Sequence, residues 1–225
     1  MQYERILLDI DAQRDLFVPG GAFYHSGCRD AARQVRRLFA WAKAWRVPVI
    51  STVLRVRRDR IGPFGARPHC VEGGLGERKI VSTLLPRRID FGLRNVTDLP
   101  RDLFRRYQQV IFEQRVTDIF AQSRLERLIT ELHQTTFVIC GAGLAHGVFE
   151  AAVGLRSRGF SVIVAEDAAL TVPGEQREMP MLRMQAKGVI FAPTRDIVAP
   201  VTRRPATPFR SPLHSQTRRQ GTIIT

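Results

Sequence analysis

Apolar positions along this chain switch between two periods, and the switches mark out its elements. Residues 6–10 (Ile-Leu-Leu-Asp-Ile) are a near-continuous apolar run, which reads as a strand covered on both faces. Residues 29–45 change to helical spacing, with Ala32, Val35, Leu38, Phe39, Ala42 and Trp45 on one face and arginines opposite. Residues 47–53 are again β-branched and apolar, a second buried strand. Residues 55–79 are rich in Arg and Gly and predict irregular structure. Short strands are predicted at 89–95 and 110–113, a helix at 125–132 and a strand at 136–140. A helix follows at 145–158, with Val148, Ala151, Ala152 and Leu155 on one face and Gly159 as its C-cap. A strand at 160–165, a helix at 182–186 and a last strand at 189–192 complete the pattern. Strands separated by helices and short loops predict a three-layer α/β/α fold on a mainly parallel, doubly wound sheet.

Length and composition agree with one α/β domain, 1–193, followed by a basic, proline-rich tail, 194–225. The chain has 225 residues, of which 44% are hydrophobic and 25% charged, values near globular averages. In the tail, six arginines face one aspartate, and from Pro193 on five prolines (Pro193 to Pro212) break the pattern. Such a segment buries too little apolar surface to order itself alone. Phe209, Leu213, Ile223 and Ile224 recur among its arginines, which favours docking on a second copy of the chain. A homo-oligomer is therefore expected. No apolar run is long enough to span a membrane, and the first residues lead straight into a strand, leaving no room for a signal peptide. Three cysteines, Cys28, Cys70 and Cys140, form no CxxC pair, which suits a reducing cytoplasm.

The net charge is +14, and all but three of the basic residues are arginines; the lysines are Lys43, Lys79 and Lys187. The charge is compatible with nucleic acid or another polyanion. No recognisable nucleic-acid motif accompanies it, so a solvated arginine-rich surface is the favoured reading.

The candidate chemistry begins where the first strand ends. Asp11 follows Ile10, and Gln13, Asp15 and Phe17 lead into a glycine turn at Gly20-Gly21. A strand ending on a carboxylate and breaking into such a loop is where open α/β sheets place ligands. Without any catalysis, Asp11 would accept N–H bonds from the glycine loop, and Asp15 would tie the same loop.

The Asp11-Ala-Gln-Arg-Asp-Leu-Phe17 stretch resembles the opening of the isochorismatase-like cysteine hydrolases, the group that includes nicotinamidases. Further likeness lies in Pro68-His69-Cys70-Val71 and its glycines, in 83–88, in 109–120, in 137–159 and in 162–168. The order and spacing of these matches span most of residues 5–192. The resemblance implies an Asp-Lys-Cys triad, in which a helix N-terminus and the lysine lower the thiol pKa. It places Asp11 at the aspartate, Gln114 at the lysine and Gly147 at the cysteine. Gln114 carries no charge and Gly147 has no side chain. Cys140, at the end of its strand, reads as a small core hydrophobe, and none of the three lysines lies near the expected site. Arg115 could keep a positive charge nearby, but its pKa prevents it from shuttling protons.

Nicotinamidases also imply a metal held by an Asp-x-His pair and by the His of the His-Cys loop. The pair reads Leu54 and Val56 here, leaving His69 alone, so no metal and no other cofactor is expected. Phe17, His69 and His146 remain candidates for a ligand pocket. As bland alternatives, His69 caps a backbone group and His146 is a helix-start residue. The resulting expectation is a hydrolase homologue without its cysteine chemistry, acting in ligand binding or assembly. The alternatives are a hydrolase of C–N or vinyl-ether bonds using Thr117 or a water activated by Asp11, and a polyanion-binding protein.

Overall fold

A computed structural model describes residues 3–199. In chain order the elements are β1 (Arg5–Ile10), α1 (Arg14–Phe17), α2 (Cys28–Trp45), β2 (Val49–Leu54), β3 (Arg88–Asp90), α3 (Leu103–Arg106) and β4 (Gln109–Gln114). They continue with α4 (Ser123–Thr130), β5 (Thr136–Ala142), α5 (Gly147–Ser157), β6 (Ser161–Leu170), α6 (Glu178–Ala186), β7 (Ile190–Ala192) and α7 (Thr194–Ile197). The strands form one seven-stranded sheet in the order β3-β4-β2-β1-β5-β6-β7, and every pairing is parallel.

The alternation along β1 explains the layers. Ile6, Leu8 and Ile10 point into one core with Val148, Ala151 and Leu155 of α5 and Leu125 and Leu128 of α4. Leu7 points into a second core with Val35, Leu38 and Phe39 of α2. A sheet covered by helices on both faces needs strands that are apolar on both sides, which β1 and β2 supply. The chain leaves β1 for β2 on one side and returns to β5 on the other, so the switch point lies between β1 and β5. At that seam Gly141 has φ +122, and a Cβ there would meet the Ile10 carbonyl oxygen at 1.9 Å. Only glycine lets the two strands close here.

Several elements differ from the periodicity. The strand expected over 89–95 is only Arg88–Asp90, an edge strand that ends before Gly92 turns the chain at φ +59. α1, α3 and α7 are single turns, too short to show a 3.6-residue period. β6 runs to Leu170 rather than 165, because its pairing with β5 shifts register beyond Ile139 and resumes at Gly141–Ala169. α6 starts at Glu178, with Pro180 tolerated in its first turn. The expected boundary at 193/194 also moves. Thr194 donates its N–H at 2.8 Å and its hydroxyl at 2.7 Å to Asp167 Oδ1, and Ile197 is buried in the second core. The folded domain therefore includes α7. The rest of the expected tail, from 200 on, lies outside the described residues. No helix among the described residues is long and apolar enough to cross a membrane.

Candidate functional site

Asp11, Gln114 and the Gly147 turn all sit at the carboxyl edge of the sheet, after β1, at the end of β4 and after β5. β1 and β5 are neighbours, but β2 lies between β1 and β4, so the three positions do not come from adjacent strands as expected. The loop after β4 crosses that gap: a Cβ on Gly147 would lie 3.4 Å from the Thr117 carbonyl oxygen and 2.9 Å from Ile10 Cγ2.

Asp11 adopts φ +47, a left-handed conformation that Asp tolerates better than most residues. This turns its carboxylate toward β2. Thr52 Oγ1 accepts the Asp11 N–H at 3.1 Å and donates to Asp11 Oδ1 at 2.6 Å, whereas Oδ2 is buried without a partner. Burial pushes the Asp11 pKa up to about 6, against the Thr52 hydrogen bond and the charge of Lys79. Asp11 makes no hydrogen bond to the glycine loop among the described residues, and Asp15 ties that loop, as expected of it. Asp15 Oδ1 accepts from the Ala22 N–H at 3.2 Å and Oδ2 from the Cys70 N–H at 2.6 Å, tying the glycine loop to the His-Cys loop.

Lys79 corrects the reading that no lysine is near. Residues 76–80 run antiparallel to 12–15, with Arg14 N–H bonded to the Arg78 carbonyl and Ile80 N–H to the Ala12 carbonyl. That pairing carries Lys79 under the sheet edge, where Nζ lies 2.6 Å from Asp9 Oδ2 and donates to the Thr52 carbonyl at 3.4 Å. Ser51 Oγ donates to the same Asp9 oxygen at 2.9 Å. Lys79 is thus a buried cation already paired with Asp9, acting on Asp11 only through space. Gln13 locks this corner. Its amide donates to the Leu54 and Glu77 carbonyls and accepts from the Leu54 N–H, at 2.7–2.8 Å. Asp9, Thr52 and Lys79 escaped the sequence reading because their partners are 27 to 70 residues away; the one local signal was a buried Asp9 inside an apolar strand.

Gln114 is buried, and neither its Oε1 nor its Nε2 has a protein partner. It shares its strand face with Val110 and Phe112, which lie in the α5-side core. Gly147 opens α5 as its first residue, with His146 at the N-cap making no side-chain cap bond. His146 Nε2 lies 3.0 Å from Glu175 Oε1, and this carboxylate raises the imidazole pKa. His69 is buried. Its Nδ1 pairs with the Arg67 carbonyl at 2.7 Å and its ring packs 5.2 Å from Phe64. Phe64 in turn lies 5.4 Å from His146. Phe17 is corrected as a pocket candidate: it is packed in the second core at 3% exposure.

The thiols are sequestered. Cys140 and Cys70 are buried, and burial pushes both pKa values well above that of a free thiol; Asp11 and Asp15 add to the effect at Cys70. The donor set also fits no metal. Leu54 and Val56 are buried and apolar. His69 Nε2 is covered by Gly62, where a Cβ would approach it to 2.4 Å, and burial lowers the pKa of the ring. Among the described residues no group of three or more His, Cys, Asp or Glu is placed to hold a metal ion.

The profile of the isochorismatase domain matches residues 5–196. No curated protein matches the chain in sequence. Among solved structures, pyrazinamidase of Pyrococcus horikoshii in complex with zinc is similar at 22% identity and TM-score 0.63, covering 85% of this chain and 99% of its own. A putative isochorismatase hydrolase from Oleispira antarctica is similar at 17% identity and TM-score 0.66, covering 87% and 96%. The MAR1 ribonuclease from Caenorhabditis elegans is similar at 15% identity and TM-score 0.59, covering 87% and 79%. With its parallel seven-stranded sheet, its carboxylate at the end of β1 and a profile match over nearly the whole described length, the chain belongs to the isochorismatase family.

Proposed function

We propose that this chain is an isochorismatase-family protein without cysteine-hydrolase chemistry, which binds a small ligand at the carboxyl edge of its sheet and acts through binding or assembly. The observation that carries this reading is Gly147. It occupies the first position of α5, where the helix N-terminus would otherwise stabilise a thiolate, and it is packed so closely that a Cβ there would come within 2.9 Å of Ile10 Cγ2. The neutral Gln114 supports the same reading, since it offers no charge to hold a thiolate, and both nearby thiols are buried. The unpaired Asp11 Oδ2 and Gln114 amide support a retained ligand, because buried polar groups without partners cost roughly 1–3 kcal/mol each.

The raised pKa of Asp11 favours one second reading. A carboxyl with a pKa of about 6 is partly protonated near neutral pH and is suited to general-acid work. It would protonate the alkene carbon of a vinyl ether; water would add to the resulting oxocarbenium ion and return one proton to Asp11, and the hemiketal would then break its C–O bond as its hydroxyl proton passes to the leaving oxygen. No thiol enters that sequence.

Purified full-length protein incubated with nicotinamide, pyrazinamide and isochorismate distinguishes the two. No turnover above background is expected. Isochorismate turnover that falls as pH rises through 6 and is lost in Asp11→Asn would establish the second reading. Amide turnover sensitive to thiol alkylation would overturn both.

A further inference from the structure

Beside the Asp11 corner, the loop after β2 places four arginines and one aspartate in the six residues 55–60. A cavity of about 580 Å³ opens there, within the range of roughly 300–1,000 Å³ usual for small-molecule sites. It is lined by Arg55, Arg57 and Arg60 of that loop and by Arg115 and Thr117 of the loop after β4. Thr117, in that lining, also lies against Gly147, where a Cβ would come within 3.4 Å of its carbonyl oxygen, so the cavity adjoins the Gly147 turn.

The four guanidinium groups divide into two pairs. Arg55 is clamped by Glu77 and Glu113, and Glu113 above all holds it firmly charged. Arg115 Nη1 reaches Glu72 Oε2 at 2.9 Å and the Arg55 carbonyl at 3.2 Å. Three carboxylates thus offset these two arginines and fix their positions. Arg57 and Arg60 are exposed and make no side-chain hydrogen bond or ion pair among the described residues; Glu72 feels Arg57 only through space. Apolar surface completes the lining, with Ile61 77% and Val116 48% exposed.

We propose that this cavity binds a phosphate ester of about nucleotide size, its phosphate on Arg57 and Arg60 and its organic body against Ile61 and Val116. The proposal rests on the ligand-binding reading above and names the ligand's chemical class. Guanidinium forks match phosphate oxygens in pairs, and two cations without partners balance a dianion. The clamped Arg55 and Arg115 give a wall already ordered before binding, which limits the entropy lost. The cavity is too large for bare phosphate alone and carries exposed apolar side chains that a bare anion would not use. A cavity bounded by two loops takes a single ligand, whereas a nucleic-acid strand needs an extended groove.

Isothermal titration of the full chain with ADP, inorganic pyrophosphate and a short single-stranded RNA tests this. ADP should bind at one site per chain and weaken with salt. Arg57→Gln or Arg60→Gln should each weaken it by about tenfold, the scale of one charge-assisted hydrogen bond. Thermal unfolding should show both variants folded, since both side chains are exposed. Ile61→Ser should weaken ADP and leave pyrophosphate unchanged. Absence of ADP binding, indifference to both arginine variants, or RNA binding that ADP does not displace would overturn the proposal. Equal effects of Ile61→Ser on ADP and pyrophosphate would overturn the assignment of the organic body. The hydrolysis assays, run on the same samples, separate the two claims. Lack of ADP binding without turnover overturns only the phosphate-ester site, and amide turnover with ADP binding intact overturns only the non-cysteine reading.

Discussion

Asp11 has one carboxylate oxygen on the Thr52 hydroxyl at 2.6 Å and the other buried without a partner, so the cost of ionising it is set by burial. Its pKa rises from 3.8 to about 6, which means the folded chain holds this proton over a range where the unfolded chain has released it. Between those values stability falls as pH rises, and the loss is complete above the folded pKa. Asn at this position keeps an acceptor for Thr52 and tolerates the left-handed backbone. The stability of Asp11→Asn relative to the parent should therefore grow between pH 4 and pH 7, by on the order of 3 kcal/mol. Denaturant unfolding of both proteins at several pH values measures this. Parallel pH profiles would show that Asp11 does not titrate as described.

At the scale of elements, α5 and β1 meet at Gly147 and Ile10. In an ordinary helix Gly→Ala is stabilising by about 0.5–1 kcal/mol. Here the added Cβ would meet Ile10 Cγ2 at 2.9 Å and the Thr117 carbonyl oxygen at 3.4 Å. Overpacking of that kind costs about 1–3 kcal/mol, so Gly147→Ala should be net destabilising. Ile10→Ala removes the clashing branch, and in that background the same substitution should cost less. The double-mutant cycle reads this as a favourable coupling between two residues in contact. A stabilising Gly147→Ala would show that the turn has room for a side chain. The neighbouring buried Lys79–Asp9 pair ties the segment 76–80 to β1. A pair of this kind contributes through its partners, since removing one charge leaves the other buried alone.

For the whole molecule, the end of the folded domain is a measurable boundary. α7 buries Ile197 and bonds Thr194 to Asp167. A chain cut after Pro193 should lose roughly 1.5–3 kcal/mol from Ile197 alone, whereas a chain cut after Ala199 should keep that contribution and show the higher Tm of the two. Equal Tm for the two truncations would remove α7 from the domain. The expected docking of Phe209, Leu213, Ile223 and Ile224 on a second copy falls outside the described residues. Light scattering checks it, with a lower oligomer mass expected for the chain cut after Ala199.

The α/β class, the burial of β1 and β2 and most of the buried face of α2 were legible in the sequence, although Trp45, placed on that face, is 67% exposed. Each of these readings rests on local periodicity. α1, α3 and α7 were not legible, because a single turn has no period to read. Nor were the partners of the site. Thr52 reaches Asp11 and Lys79 reaches Asp9 only because the parallel β1–β2 register and the antiparallel return of 76–80 bring distant residues together. Which oxygen of Asp11 is bonded, which arginines are clamped and which remain without partners were likewise decided by the tertiary structure. Pairing and burial depend on which chains pack side by side, and no local pattern in this sequence specifies that.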